Sequence, residues 1–130
     1  MANGKWIVVF ELVNRNADVN YKVSEDGMTW PAGLGARIAE QHCGPYVIAL
    51  TDGRLLVTSC QNEVSVSDDY GATWRRIDPS PWTFGYSFSW ASIYQISSNE
   101  IAVMAAVPRQ DKKSGVVLRF GTLLPSARRL

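Results

Sequence analysis

An all-β fold assembled from repeated antiparallel units is what this 130-residue sequence predicts. Three observations point there. The apolar runs are short, rich in Val, Ile, Tyr and Trp, and bounded by turn-forming residues, which is the pattern of strands closed by tight turns. One turn sequence occurs twice: "VSEDGMTW" at 23–30 and "VSDDYGATW" at 66–74 carry Ser, Asp, Gly, Thr and Trp in the same order. Trp30 and Trp74 stand 44 positions apart, so the turn marks a repeat of that length.

The clearest unit runs from 45 to 78. "PYVIALT" reads as a strand, Asp52-Gly53 as a hairpin turn and "RLLVTSC" as the returning strand. "EVSVS" is a third strand, "DDYGA" a second turn and "TWRRID" a fourth strand, which together make a four-stranded meander. The unit before it holds "KWIVVFELV", "VNYKVS", the turn "EDGM" and a last strand at "TWPAGL", with no first strand visible. The unit after it holds "WASIYQIS", a turn at Ser98-Asn99, "IAVMAAV" and "GVVLRFG", with "LLPSARR" as the candidate fourth strand. The units cover about 1–40, 41–85 and 86–130 of a single domain. A four-stranded repeat of about 45 residues is the period of a β-propeller blade. Strands such as "WIVVFELV", apolar on both faces, suit blades sandwiched between neighbours.

Each part of the repeated turn has a conformational reason to be there. The Asp side chain accepts backbone N–H bonds within its own turn, and Gly27 or Gly71 takes a positive φ. The Thr hydroxyl closes the loop locally, and the Trp opens the next strand and packs between blades. The residues Ser24, Asp26, Gly27, Thr29 and Trp30, with Ser67, Asp69, Gly71, Thr73 and Trp74, are therefore read as structural. The oxygens of the motif fall short of a calcium shell, and no metal or cofactor is expected.

On those residues the sequence resembles the Asp-box, or BNR repeat, of the sialidase-type β-propellers; the copy at 24–30 is shortened by one residue. "VIALTDGRLLVTSCQNE" and "WASIYQI" are similar to the C-terminal half of sialidase-like glycosidases, including exo-arabinanases. The resemblance implies four-stranded blades, boxes on the face opposite the active site and activity on sugar termini. It also implies a ring of six blades, which at about 45 residues each needs about 270. The chain holds about three blades, half of such a ring. The Arg-Ile-Pro motif of sialidase N-terminal blades is absent from it.

The bulk properties narrow the function. A formal charge of +1, with Lys and Arg scattered, makes no case for nucleic acid or for an acidic membrane. No apolar run approaches membrane-spanning length, and "MANGKWIVVF" lacks the regions of a secretory signal, which leaves the compartment open: secreted if a leader has been removed, otherwise cytoplasmic. Cys43 and Cys60 form no zinc spacing, and pairing of "PYVIALT" with "RLLVTSC" brings them near each other. Free buried thiols are the expectation, with a disulfide as the alternative.

Chain direction sorts the loops onto two faces. Opposite the repeated turns fall Asn14–Asn20, Gln61–Glu63, Arg109–Ser114 and the links at 31–44 and 79–89. Two carboxylates on that face are candidates for catalysis. Glu11 interrupts an apolar strand beside Ile7, Val9 and Val13, the setting for a general acid or for an ion pair with an arginine; Glu63 projects from a loop. Two such groups flanking a glycosidic bond are the minimum for hydrolysis. Gln61, Trp82, Trp90 and Arg109 are the candidate substrate-binding residues, since rings pack on sugar C–H faces while polar groups meet the hydroxyls. His42 is a third ionisable group nearby and reads as a loop residue. The expected function is a glycoside-hydrolase-like propeller or half-propeller that acts on or binds terminal sugars. Its alternative is a non-catalytic carbohydrate-binding or structural half-propeller. The expected partners are carbohydrate and a second copy that completes the ring, with no nucleic acid and no membrane.

Overall fold

The computed structural model describes residues 1–60, 63–77, 91–108 and 114–125. Those residues form ten strands in three antiparallel sheets and no helix. The first sheet is β1 (Trp6–Leu12), β2 (Asp18–Ser24) and β3 (Ala36–His42), in that spatial order. The second is β4 (Tyr46–Ala49), β5 (Leu55–Thr58), β6 (Val64–Ser67) and β7 (Arg75–Arg76), again in chain order. The third is β8 (Ser92–Ser97), β9 (Glu100–Pro108) and β10 (Ser114–Thr122), with β9 central.

The second sheet forms where the sequence predicts it. Its Asp52-Gly53 turn closes because Gly53 sits at φ 92°, where a side chain is strained, and its N–H reaches the Leu50 carbonyl at 3.0 Å. The Asp52 carboxylate accepts the Arg54 N–H at 3.1 Å and meets the Arg54 guanidinium at 2.7 Å. This sheet is covered on both sides, and every residue of β5 and β6 is buried. One apolar cluster joins it to the first sheet through Val19, Ile38 and Val57, with Trp74 packed at the margin and Tyr21 edge-on to that ring at 5.6 Å. A larger cluster joins it to the third sheet, with Leu56, Val64 and Val66 facing Ile93, Ile101 and Val103.

The first sheet departs from expectation. "TWPAGL" is not a strand; β2 pairs instead with Ala36–His42, so the link expected at 31–44 shrinks to the few residues before β4. The cause is local chemistry. Pro31 has no N–H to give a ladder, and Gly33 and Gly35 sit at φ 79° and 70°. The curled segment is held by the Asn20 side-chain amide, which donates to the Leu34 carbonyl at 2.9 Å. At the other end of the chain, 123–125 is not strand, and the remainder of "LLPSARR" lies outside the described residues. Cys43 and Cys60 are not free thiols but form a disulfide, with Cα atoms 5.7 Å apart.

The first and third sheets each leave an apolar face exposed. On the third sheet Tyr94, Ile96, Met104, Val116, Leu118 and Phe120 are exposed, with Val116 and Phe120 more than 70 % so. They share one face, because Leu118 pairs with Met104 and Phe120 with Ala102, which in turn pairs with Tyr94. The outer face of β1 shows Trp6 and Val8.

Candidate functional site

Antiparallel pairing gives every sheet two ends, and the residues singled out by the sequence divide between them. Both repeated turns stand at one end, after β2 and after β6. In the first, the Ser24 hydroxyl oxygen accepts the Gly27 N–H at 2.9 Å, while one Asp26 oxygen accepts the Met28 and Thr29 N–H groups at 2.8 and 2.7 Å. In the second, Ser67 accepts the Gly71 N–H at 2.8 Å and Asp69 accepts the Thr73 N–H at 2.8 Å. The Thr73 hydroxyl donates to the other Asp69 oxygen at 2.5 Å. The extra residue of the longer copy, Tyr70, is absorbed at φ 60° with Gly71 at 91°. Trp74 leads into β7, whereas Trp30 is half-buried and leads into the curled segment before β3.

These bonds favour ionised carboxylates. The Thr29 N–H, then the Met28 N–H and the Ser24 hydroxyl, hold the Asp26 carboxyl far below its ordinary value. Burial opposes ionisation of Asp69, but the Thr73 hydroxyl and N–H and the Ser67 hydroxyl outweigh it, so its pKa is also lowered. A carboxyl with a lower pKa folded than unfolded adds stability that is present above about pH 4 and is lost as pH falls through the folded value. Stability is therefore expected to drop on acidification below about pH 4, and less so in Asp69→Ala. That variant leaves the Thr73 N–H without its acceptor and is expected to cost about 1–3 kcal/mol, toward the low end because Asp69 is exposed and water replaces part of the bond. Urea titrations of the two proteins measure it. Chelators should not shift either melting curve, and a calcium-dependent midpoint would overturn the structural role.

The other end gathers the two candidate carboxylates on one short corner, residues 42–44. Glu11, at the end of β1, accepts the Gly44 N–H at 2.9 Å. Glu63, just before β6, accepts the His42 N–H at 3.0 Å and the Ser59 hydroxyl at 2.7 Å on one oxygen. Its other oxygen lies 3.1 Å from the His42 ring Nδ1. The Glu63 side chain is 8 % exposed and that of His42 is 32 % exposed. Between the two carboxylates the Cys43–Cys60 disulfide ties the corner to the end of β5, and the Cys60 N–H reaches the Cys43 carbonyl at 3.2 Å. The backbone here is strained. Asn16, Ala17, Glu40 and Cys43 have φ between 45° and 58°, and the only other non-glycine residue with positive φ among those described is Tyr70. Such strain persists where surrounding bonds over-determine it, commonly at functional sites.

Glu11 thus takes up a backbone N–H where the sequence suggests an apolar acid or a pair with arginine. Glu63 is a buried, fully engaged carboxylate, not a group projecting from a solvated loop. His42, read as a loop residue, ends β3 and is the exposed member of a bonded pair. Ser59 carries no sequence signal; only the fold brings its hydroxyl to Glu63. Gln61, Trp82, Trp90 and Arg109 lie outside the described residues. Among the described residues no three His, Cys, Asp or Glu side chains are grouped to hold a metal ion, and no helix is long and apolar enough to cross a membrane.

Comparison with known proteins adds the fold relationship. No protein-family model matches the chain, and no curated protein matches it. Among solved structures it is similar to the α-L-arabinofuranosidase Arb93A of Fusarium graminearum in complex with an iminosugar inhibitor. That match has a TM-score of 0.65 at 19 % identity, over 93 % of this chain and 40 % of that one. A point mutant of the same enzyme, also with an iminosugar inhibitor, matches with a TM-score of 0.64 at 15 % identity, over 92 % and 39 %. The chain spans about two fifths of the length of these neighbours. It shares the fold of part of a β-propeller glycosidase.

Proposed function

We propose that the chain is part of a glycoside-hydrolase-like β-propeller whose rim at 42–44, 59–60 and 63 receives the exposed end of a sugar chain. One observation carries this: carboxylates from two different sheets converge on a single strained corner, at the end opposite both repeated turns. In the same reading the turns are Asp-boxes, the three sheets are successive blades, and Gln61, Trp82, Trp90 and Arg109 supply further contacts to the sugar. Binding ranks ahead of hydrolysis, because both Glu63 oxygens already accept bonds and one chain carries only part of a propeller. The neighbours' name suggests the probe. Titration with L-arabinose, followed by amide resonances at the rim, should show saturable shifts, and hydrolysis of 4-nitrophenyl α-L-arabinofuranoside should be slow or nil. If turnover is seen, Glu11→Gln should abolish it and leave the melting temperature in place, since an amide oxygen still accepts the Gly44 N–H. A rim indifferent to the sugar would defeat the reading.

The exposed outer faces favour a second, compatible reading: two copies close one ring. A face bearing Tyr94, Met104, Leu118 and Phe120 is a standing aggregation hazard unless something covers it. A two-fold pair of arcs would set this face of each copy against the β1 side of the other, burying both at once. Light scattering on the chain should then give twice 14.4 kDa, and Leu118→Glu should halve the mass. A monodisperse monomer of the unaltered chain would exclude the ring.

A further inference from the structure

We propose that the bare Nε2 of His42 is the group that contacts a hydroxyl of the bound sugar, with Glu63 as the residue that positions it. The proposal rests on the rim reading and assigns roles within it.

One Glu63 oxygen accepts from the His42 N–H at 3.0 Å and from the Ser59 hydroxyl at 2.7 Å. The His42 Nδ1 lies 3.1 Å from one oxygen and 3.3 Å from the other. In the neutral ring, the carboxyl oxygens of Glu63 place the proton on Nδ1. The Nε2 atom of that tautomer has a lone pair, makes no hydrogen bond to a described residue, and belongs to a side chain one-third exposed beside a buried partner. This arrangement leaves an acceptor on a partly exposed ring whose other nitrogen is tied down.

The corner is built to keep that arrangement. The disulfide joins the residue after His42 to the residue after Ser59. Glu11 clamps the Gly44 N–H from the first sheet, and the Cys43 N–H reaches the Ala17 carbonyl at 2.8 Å. Across the strand pair His42 stands opposite Asp18, whose carboxylate is engaged by Arg37 at 2.9 Å. A neutral polyol suits this setting: its hydroxyl donates to Nε2, and no net charge is required of it.

His42 is the chain's single histidine, which makes the test direct. Long-range proton–nitrogen correlation spectra of the full chain, at mildly alkaline pH, report the two ring nitrogens separately. The unaltered chain should show a protonated Nδ1 and a bare Nε2, and Glu63→Gln should move the mixture toward the other tautomer, a change that a merely structural Glu63 would not produce. With L-arabinose the Nε2 resonance should move, and His42→Gln should weaken binding roughly 3- to 10-fold, the worth of one lost neutral hydrogen bond. A ring protonated mainly on Nε2 would overturn the proposal. So would sugar binding that shifts the Gly44 amide but leaves Nε2 unmoved, a result that keeps the rim reading intact. Arabinose that moves no rim resonance would remove both.

Discussion

Replacing Gly35 with alanine is expected to destabilise the chain by about 2–5 kcal/mol, a large loss for one methyl group. Two independent costs add. Gly35 sits at φ 70°, where an L residue pays roughly 1–2 kcal/mol. A Cβ there would also lie 2.2 Å from the Tyr21 backbone carbonyl and 2.9 Å from the Lys22 side chain. The lysine can swing away, but the carbonyl belongs to β2 and cannot, so the strand pairing itself must shift, at about 1–3 kcal/mol. Gly33 is the internal control. It has a similar φ of 79°, but a Cβ there would meet nothing within 4 Å, so Gly33→Ala should carry only the conformational cost. Urea unfolding of the two variants separates the terms; equal losses would mean that the close approach to Tyr21 relaxes freely.

Opening the Cys43–Cys60 disulfide is expected to cost about 3 kcal/mol, from the freedom regained by an unfolded chain no longer closed across 17 residues. For a domain of this size that lowers the melting temperature by roughly 10 °C. The change should reach the rim as well, because the bridge tethers the residue after His42 to the residue after Ser59, and both bond to Glu63. Melting curves with and without a phosphine reductant, and of the double variant with serine at 43 and 60, check it. Coincident curves would show that the bridge adds nothing to the fold.

The second sheet was legible because its signals are local. Asp52-Gly53 demands a tight turn whatever surrounds it, and a short apolar run bounded by turn residues demands a buried strand. The repeated turns were legible for the same reason: Ser, Asp, Gly and Thr satisfy one another's backbone groups within a few residues. The site was only half legible. The direction of successive strands places Glu11 and Glu63 at the end away from the turns, but their partners were invisible in one dimension. Glu63 meets His42 across 21 residues and Glu11 meets Gly44 across 33. Nothing in the run "VTSC", or in a lone histidine, announces such contacts.

By itself the sequence determined the all-β class, the meander at its centre and the repeated turn, since propensity and short-range hydrogen bonding act within a few residues. Only the tertiary structure decided that β3 is Ala36–His42 and not Thr29–Leu34, because β2 accepts whichever segment can present donors to it, and a segment with Pro31 and the left-handed Gly33 cannot. It alone decided that the cysteines join, since a disulfide depends on Cα atoms 5.7 Å apart and not on spacing along the chain. It alone made His42 the more exposed member of the corner and Glu63 its buried partner. Which of two ionisable groups faces water is a property of the packing around them, and here that packing is contributed by two sheets that adjoin only after the chain has folded.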